Sequence, residues 1–335
     1  MKNVRRTSTS SPVIHNGYRL VGVYCYDIPL TQPLQLAHGR LQQRQGLLLK
    51  FADQSGCYHW GEAAPLPGFS RETLTGAIHT LLQWLDRQLS FEQLPPSIQF
   101  AIDMATSTVT ESLAQTAEVS IRPAALAAQL VTANETPQQL ASVAKLKIGN
   151  ADVDADIRRF NQLQHQFPAT RWRLDCNQQW SLQQAEQFCH NVDLSVIDFI
   201  EEPCRHLDEI MALAAQGVPV ALDETIQSNQ VELAMFSGLR ALVCKPTLVG
   251  ALTRCQQWQQ FCQQHDLAFI VSACFESNLT NDYLARLAKL WAPAQIPGLD
   301  TLKALGADLI HPRSADSSLP LLSEAKLDLV WKLPS

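Results

Sequence analysis

The chain has 335 residues, 46% hydrophobic and 17% charged, with 26 Lys and Arg against 32 Asp and Glu for a formal net charge of -6. That is enough apolar material for two domains, or for one barrel with an appendage. With no basic stripe or charge block, it argues against nucleic acid and anionic membrane surfaces as partners. The nine cysteines are scattered, with no Cys-x-x-Cys pair, and read as free thiols of a reduced, cytoplasmic chain. The basic N-terminus has no apolar stretch behind it, and no run reaches the ~18 apolar residues of a membrane span.

In chain order, residues 1–10 are polar and expected to be disordered. Strands are expected at 18–28, 46–52 and 58–60, followed by the turn-rich Pro65-Leu-Pro67-Gly68-Phe69-Ser70. Leu74, Ile78, Leu81, Leu82 and Leu85 lie at helical spacing and predict a helix over 71–89, with a second over 97–115. Strands followed by helices point to a small α+β domain.

Beyond about Arg122 short apolar strands alternate with amphipathic helices. Strands are expected at 171–175, 196–201, 218–223, 239–245 and 267–272, and helices at 181–192, 208–216, 229–237 and 250–265. Ser181 with Gln184 three residues on forms a capping-box signal, and Gly217 a helix stop. The pattern implies parallel strands with right-handed crossovers, buried on both faces. An open doubly wound sheet and a barrel both satisfy it.

Polar residues end these strands at a steady interval. Lys147, Asp175, Glu201, Asp223, Lys245 and Ser272 are separated by 28, 26, 22, 22 and 27 residues. A barrel gathers strand C-termini at one mouth, whereas an open sheet would spread them along a line, so the regularity favours a (β/α) barrel. Alternation puts Lys145 with Lys147 and Arg173 with Asp175 on one face, and turns Trp172 and Leu174 outward. The same rule groups Glu201 with Phe199 and Ile197, and leaves Glu202 opposite.

Three carboxylates without clustered His or Cys form a hard oxygen site suited to Mg²⁺, with Mn²⁺ as a substitute. Two lysines flank the trio. An ammonium beside a metal and a second ammonium should have a lowered pKa, and a neutral lysine is a competent base. The matching chemistry is removal of a proton α to a carboxylate, with the enediolate stabilised by metal and ammonium. A Schiff-base role for Lys245 would leave the carboxylates unexplained.

These residues carry a resemblance. Lys145-Leu-Lys147-Ile-Gly149, Asp175-Cys-Asn177, Glu201-Glu-Pro203, Asp223-Glu224 and Lys245-Pro246-Thr247 resemble the lysine and ligand strands of the enolase superfamily, muconate-lactonizing subgroup. Within it, the segment Gly61 to Thr73, Trp180, Ser272-Ala-Cys-Phe-Glu276-Ser277 and Ile296-Pro-Gly298-Leu-Asp300-Thr301 are most similar to the o-succinylbenzoate synthase family. Cys176, Thr225 and Ala273 depart from its commonest residues.

The resemblance implies an α/β architecture: a modified (β/α)₇β TIM-like barrel at 122–305, an α+β capping domain at 1–121, and a segment at 306–335 returning to the cap. It implies Mg²⁺ on Asp175, Glu201 and Asp223, Lys147 as base and proton donor, and Lys245 as a cation across the ring. Lys145, Arg173, Asn177, Ser272 and Gly298 become supporting or substrate-binding candidates. The implied reaction dehydrates 2-succinyl-6-hydroxy-2,4-cyclohexadiene-1-carboxylate to 2-succinylbenzoate in menaquinone biosynthesis. N-succinylamino acid racemization, or another epimerase or cycloisomerase reaction, is the alternative. The expected partner is a small-molecule carboxylate. The sequence does not report an oligomeric state, and a monomer is compatible with it.

Overall fold

The computed structural model describes residues 13–36, 39–109, 112, 127–132, 135, 137–149, 152–227 and 232–333. The expected disorder of 1–10 and the end of the helix expected over 97–115 fall wholly or largely outside them.

An antiparallel sheet comes first, in the order β1 (Ile14–His15), β2 (Tyr18–Leu36), β3 (Gly39–Ala52) and β4 (Tyr58–Ala63). Both of its faces are covered, which explains the unbroken apolar run at 47–49. Leu47, Leu49 and Phe51 pack with the helices, while Leu48 joins Tyr26, Ile28 and Leu305 on the other side. Helix α1 (Leu74–Leu85) starts at Thr73, whose hydroxyl accepts from Gly76 N, and buries Ala77, Leu81, Trp84 and Leu85. Helix α2 (Pro96–Thr106) opens on a proline, where no N–H is needed. It lies between two cores: Ile98, Ala101, Ile102 and Ala105 face the cap, whereas Phe100 and Met104 face the barrel. At its crossing with β4, a Cβ on Gly61 would lie 1.8 Å from Ala101 O, so only glycine permits the approach.

The barrel strands are β5 (Gln129–Val131), β6 (Val143–Lys147), β7 (Arg171–Asp175), β8 (Ile197–Glu201), β9 (Val220–Leu222), β10 (Leu239–Cys244) and β11 (Ala268–Val271). Each pairs in parallel with its neighbour in sequence. Around them lie α3 (Val153–Gln166), α4 (Leu182–His190), α5 (Leu207–Ala215), α6 (Glu224–Gln227), α7 (Pro246–Val249), α8 (Leu252–Gln264) and α9 (Asn278–Trp291). Residues 297–298 then join both edges of the sheet. Gly298 N donates to Val271 O at 2.9 Å, and Ala128 N donates to Pro297 O at 2.9 Å. This eighth segment closes the ring and decides between an open sheet and a barrel: the fold is the modified (β/α)₇β barrel with an α+β cap.

The expected alternation holds on β7, where Trp172 and Leu174 pack outward in the main core. On β8 it fails at one residue. Trp172 pairs with Ile197 and Arg173 with Phe199, leaving Asp198 as a bulge. Ile197 therefore faces the helices, and only Phe199 lies inside with Glu201.

The helix expected at 229–237 is also corrected. Residues 232–236 are irregular, and the helical turn is α6, immediately after Asp223. Leu233 and Phe236 still pack against the core, so burial rather than helix formation accounts for that apolar spacing.

After the barrel, β12 (Asp308–Leu309) pairs with β13 (Leu321–Leu322), and β14 (Asp328–Lys332) adds antiparallel to β2. Trp331 enters the cap core, and Glu324 accepts from Tyr24 Oη at 2.6 Å and Lys50 Nζ at 2.7 Å. Among the described residues, no helix is long and apolar enough to cross a membrane.

Candidate active site at the barrel mouth

Strand register sets Lys147, Asp175 and Glu201 side by side at the C-terminal ends of β6, β7 and β8. Asp223 and Lys245 follow β9 and β10 on the same rim, Lys245 standing at the N-cap of α7. Lys145 starts one layer deeper, but its long stem carries Nζ up to 2.8 Å from Asp175 Oδ2 and 2.8 Å from Glu201 Oε1. Lys147 Nζ donates to Asp175 Oδ2 at 2.5 Å and to Asn177 Oδ1 at 2.6 Å. On the far side Lys245 Nζ donates to Asp223 Oδ2 and lies 4.0 Å from Glu201 Oε1. Each of the three carboxylates thus has an ammonium beside it.

Burial would raise the Asp175 carboxyl, yet the ammoniums of Lys145, Lys147 and Lys245 outweigh it and hold Asp175 well below the usual range. Burial pushes Asp223 up; Lys245 opposes this, while Glu224 and Glu201 add to it. Lys145 and Lys245 are raised, against their own burial, because carboxylates are their nearest charges. The lowering expected from the sequence presupposes a metal cation beside the lysine, a charge these neighbours do not supply.

As they stand, no three His, Cys, Asp or Glu side chains among the described residues are arranged to hold a metal. Lys145 bridges Asp175 and Glu201, and Lys245 holds Asp223. The donor set itself fits a hard divalent cation. Asp175, Glu201 and Asp223 are at most 1% exposed, supply only oxygens, and are already organised around positive charge.

The other candidates separate. Asn177, at φ 43°, links Lys147 to Glu224, its Nδ2 donating to Glu224 Oε1 at 2.8 Å. Arg173 is buried one layer down, donating to Ile296 O at 2.5 Å and stacking 5.3 Å from the Phe199 ring. Ser272 Oγ donates to Gly298 O at 3.2 Å, so these two lie together where the ring closes.

Glu202, Arg44 and Glu62 are buried ionisable side chains near the site to which the sequence assigned no role. Glu202 accepts from Asp223 N at 2.7 Å, Thr225 N at 2.8 Å, Thr225 Oγ1 at 2.7 Å and Gln178 Nε2 at 2.9 Å, and so fixes the strand end that carries Asp223. Burial pushes its carboxyl up to about 7, with Glu224 adding. The doubled Glu201-Glu202 was the available signal, but alternation assigned the second residue no role. Arg44 and Glu62, both in the cap, reach the barrel loop after Ser272. Arg44 lies in a polar run with no pattern to mark it, and Glu62 lies inside the Gly61 to Thr73 segment that carries the resemblance, without a role of its own there. Above them, Leu66 and Phe69 of the Pro65–Ser70 turn pack with Leu248, Cys274 and Phe275 at the rim.

Comparison with known proteins speaks to the family and the fold. Residues 124–303 match the family described as Enolase C-terminal domain-like, and residues 18–109 match MenC, N-terminal domain. An o-succinylbenzoate synthase of Pectobacterium atrosepticum is 35% identical over 331 residues, covering 94% of this chain and 99% of the relative. One from Yersinia pseudotuberculosis is 35% identical over 330 residues, covering 93% and 99%. Among solved structures, the Thermosynechococcus elongatus o-succinylbenzoate synthase, complexed with Mg in its active site, aligns at TM-score 0.66 and 22% identity over 90% of this chain and 95% of its own. The L-Ala-D/L-Glu epimerase of Bacillus subtilis aligns at 0.69 and 17% over 87% and 92%, a likeness of fold. The chain belongs to the o-succinylbenzoate synthase family of the enolase superfamily.

Proposed function

We propose that this chain is a Mg²⁺-dependent dehydratase that converts 2-succinyl-6-hydroxy-2,4-cyclohexadiene-1-carboxylate to 2-succinylbenzoate in menaquinone biosynthesis. The observation that carries the reading is the rim itself: Lys147 flanks the Asp175 end of three buried carboxylates, and Lys245 flanks the Asp223 end.

Asp175, Glu201 and Asp223 would hold the metal, which supplies positive charge to the substrate carboxylate and so acidifies its α-proton. Lys147, held at the mouth by Asp175 and Asn177, would serve as the base. Lys147 takes the proton from the ring carbon next to the carboxylate, leaving an enediolate. It returns that proton to the departing hydroxyl, so one C–H and one C–O bond break, a C=C bond forms and water leaves. Lys245 faces the enediolate as an ammonium, and Asn177 orients Lys147. Lys145 holds Asp175 and Glu201 in place. Arg173, Ser272 and Gly298 belong to the supporting set below and beside the mouth.

The division into a cap at 1–121, a barrel at 122–305 and a returning segment at 306–335 belongs to the same reading. It is supported by the separate cap core and by the pairing of β14 with β2. A cytoplasmic home suits nine free thiols.

The test is turnover of the cyclohexadiene substrate by purified protein, with and without EDTA. Formation of 2-succinylbenzoate, abolished by EDTA and restored by Mg²⁺, is the expected result. No turnover, or full activity in EDTA, would remove the reading.

A further inference from the structure

Two buried ions hold the seam between cap and barrel above Lys245, and neither belongs to the reacting set. The Arg44 guanidinium, 1% exposed, donates to backbone carbonyls alone among its recorded bonds. Its Nε reaches Phe275 O at 3.0 Å, Nη1 reaches Pro65 O at 2.8 Å and Gln45 O at 3.2 Å, and Nη2 donates to Ala64 O. Glu62, 0% exposed, accepts from Tyr26 Oη at 2.5 Å, Ser277 N at 2.9 Å and Ser277 Oγ at 2.5 Å. The two cap residues grip the same barrel loop two residues apart.

The fork of a guanidinium is rigid, so four carbonyls from three chain segments satisfy it in one relative placement. One of those segments begins the 65–70 turn. That turn is closed on itself, with Phe69 N and Ser70 N both donating to Leu66 O, at 3.1 and 2.9 Å. Its Leu66 and Phe69 rest on Leu248, which lies on the short helix capped by Lys245. Apolar contact alone could glue the seam, but it would not fix the turn's position relative to Lys245.

We propose that Arg44 and Glu62 are positioning residues for the reaction: they latch the 65–70 turn shut over the Lys245 side of the mouth. The turnover arm of the test rests on the dehydratase reading; the exchange arm does not.

The experiment uses the full chain with Arg44→Lys, which keeps the charge but loses the fork, and Glu62→Gln, which keeps an acceptor. Amide hydrogen exchange is followed across the molecule, alongside steady-state kinetics and Mg²⁺ titration. The expected result is exchange faster by about tenfold or more in residues 66–70 and 274–277, with β6 to β8 unchanged. KM should rise about tenfold, with kcat and Mg²⁺ affinity altered by less than about threefold. Unchanged exchange in those two segments would overturn the proposal. So would a uniform rise over cap and barrel together, which marks simple loss of stability. If the parent itself fails to turn over the substrate, only the dehydratase reading falls, and the exchange pattern still decides the latch.

Discussion

On β8, β10 and the end of β11, the inward side chains one layer down are Phe199, Val243 and Ile270; at the rim above them stand Glu201, Lys245 and Ser272. Both layers are almost fully buried, so burial does not distinguish them. The lower layer, completed by Ala221 and Ala241, is held by packing and asks nothing of its neighbours but shape. The upper layer holds ions whose desolvation must be offset by one another. On these three strands a single pleat therefore separates residues held by packing from those suited to chemistry, and each set should fail in its own way.

The largest effect is expected at the carboxylates. Asp175→Asn or Glu201→Gln should abolish Mg²⁺-dependent turnover and weaken Mg²⁺ binding in calorimetry, while circular dichroism stays that of the parent. Unchanged affinity in both variants would refute the ligand assignment.

Next comes Lys147→Ala, expected to lower kcat by about 10²–10⁴-fold, the usual worth of a general base. Its melting temperature should stay close to the parent's, and full turnover would deny Lys147 its role. Below the rim the signature inverts. Phe199→Ala should cost about 3–5 kcal/mol in urea unfolding, as other buried aromatic truncations do. Its activity per folded molecule should persist in mild conditions; a rim-like collapse of kcat with intact stability would erase the distinction between layers.

The smallest effect probes a buried acid that belongs to neither layer. Asp103, on α2, accepts from Leu252 N at 2.8 Å at the start of α8. Burial pushes its carboxyl up to about 6, with the Leu252 N–H opposing. A carboxyl raised in the folded state holds its proton longer there, so its contribution is fully present below the unfolded value and lost as pH rises to about 6. Asp103→Asn should therefore flatten the decline in stability between about pH 4 and pH 6. Parallel unfolding curves for variant and parent across that window would rule this out.

Much of this was legible in the sequence because it rests on spacing. The interval between Lys147, Asp175, Glu201, Asp223 and Lys245 pointed to a ring of strand ends, and Ser181 with Gln184 does form the capping box that opens α4. Features that depend on a single inserted residue or on distant partners were not legible. The Asp198 bulge turned Ile197 outward although nothing in its neighbourhood breaks the alternation. The ring closes through backbone bonds of Pro297 and Gly298, which follow no strand-like run. Arg44 meets Phe275 across 231 positions of sequence, a distance over which no local pattern speaks. Nor was the bridging of Asp175 and Glu201 by Lys145 legible, because only side-chain reach brings its Nζ up from the layer below.

The pairing of Asp328 with Cys25 carries a consequence for how the mouth is served. The chain leaves the cap after α2, runs the full circuit of the barrel and comes back to place a strand against β2. The cap is therefore moored to the barrel by two separate lengths of chain rather than one. A piece moored twice is held at the mouth at a high local concentration by the chain itself. The Arg44 and Glu62 bonds then need only set the placement of the 65–70 turn, because retention is left to the covalent chain.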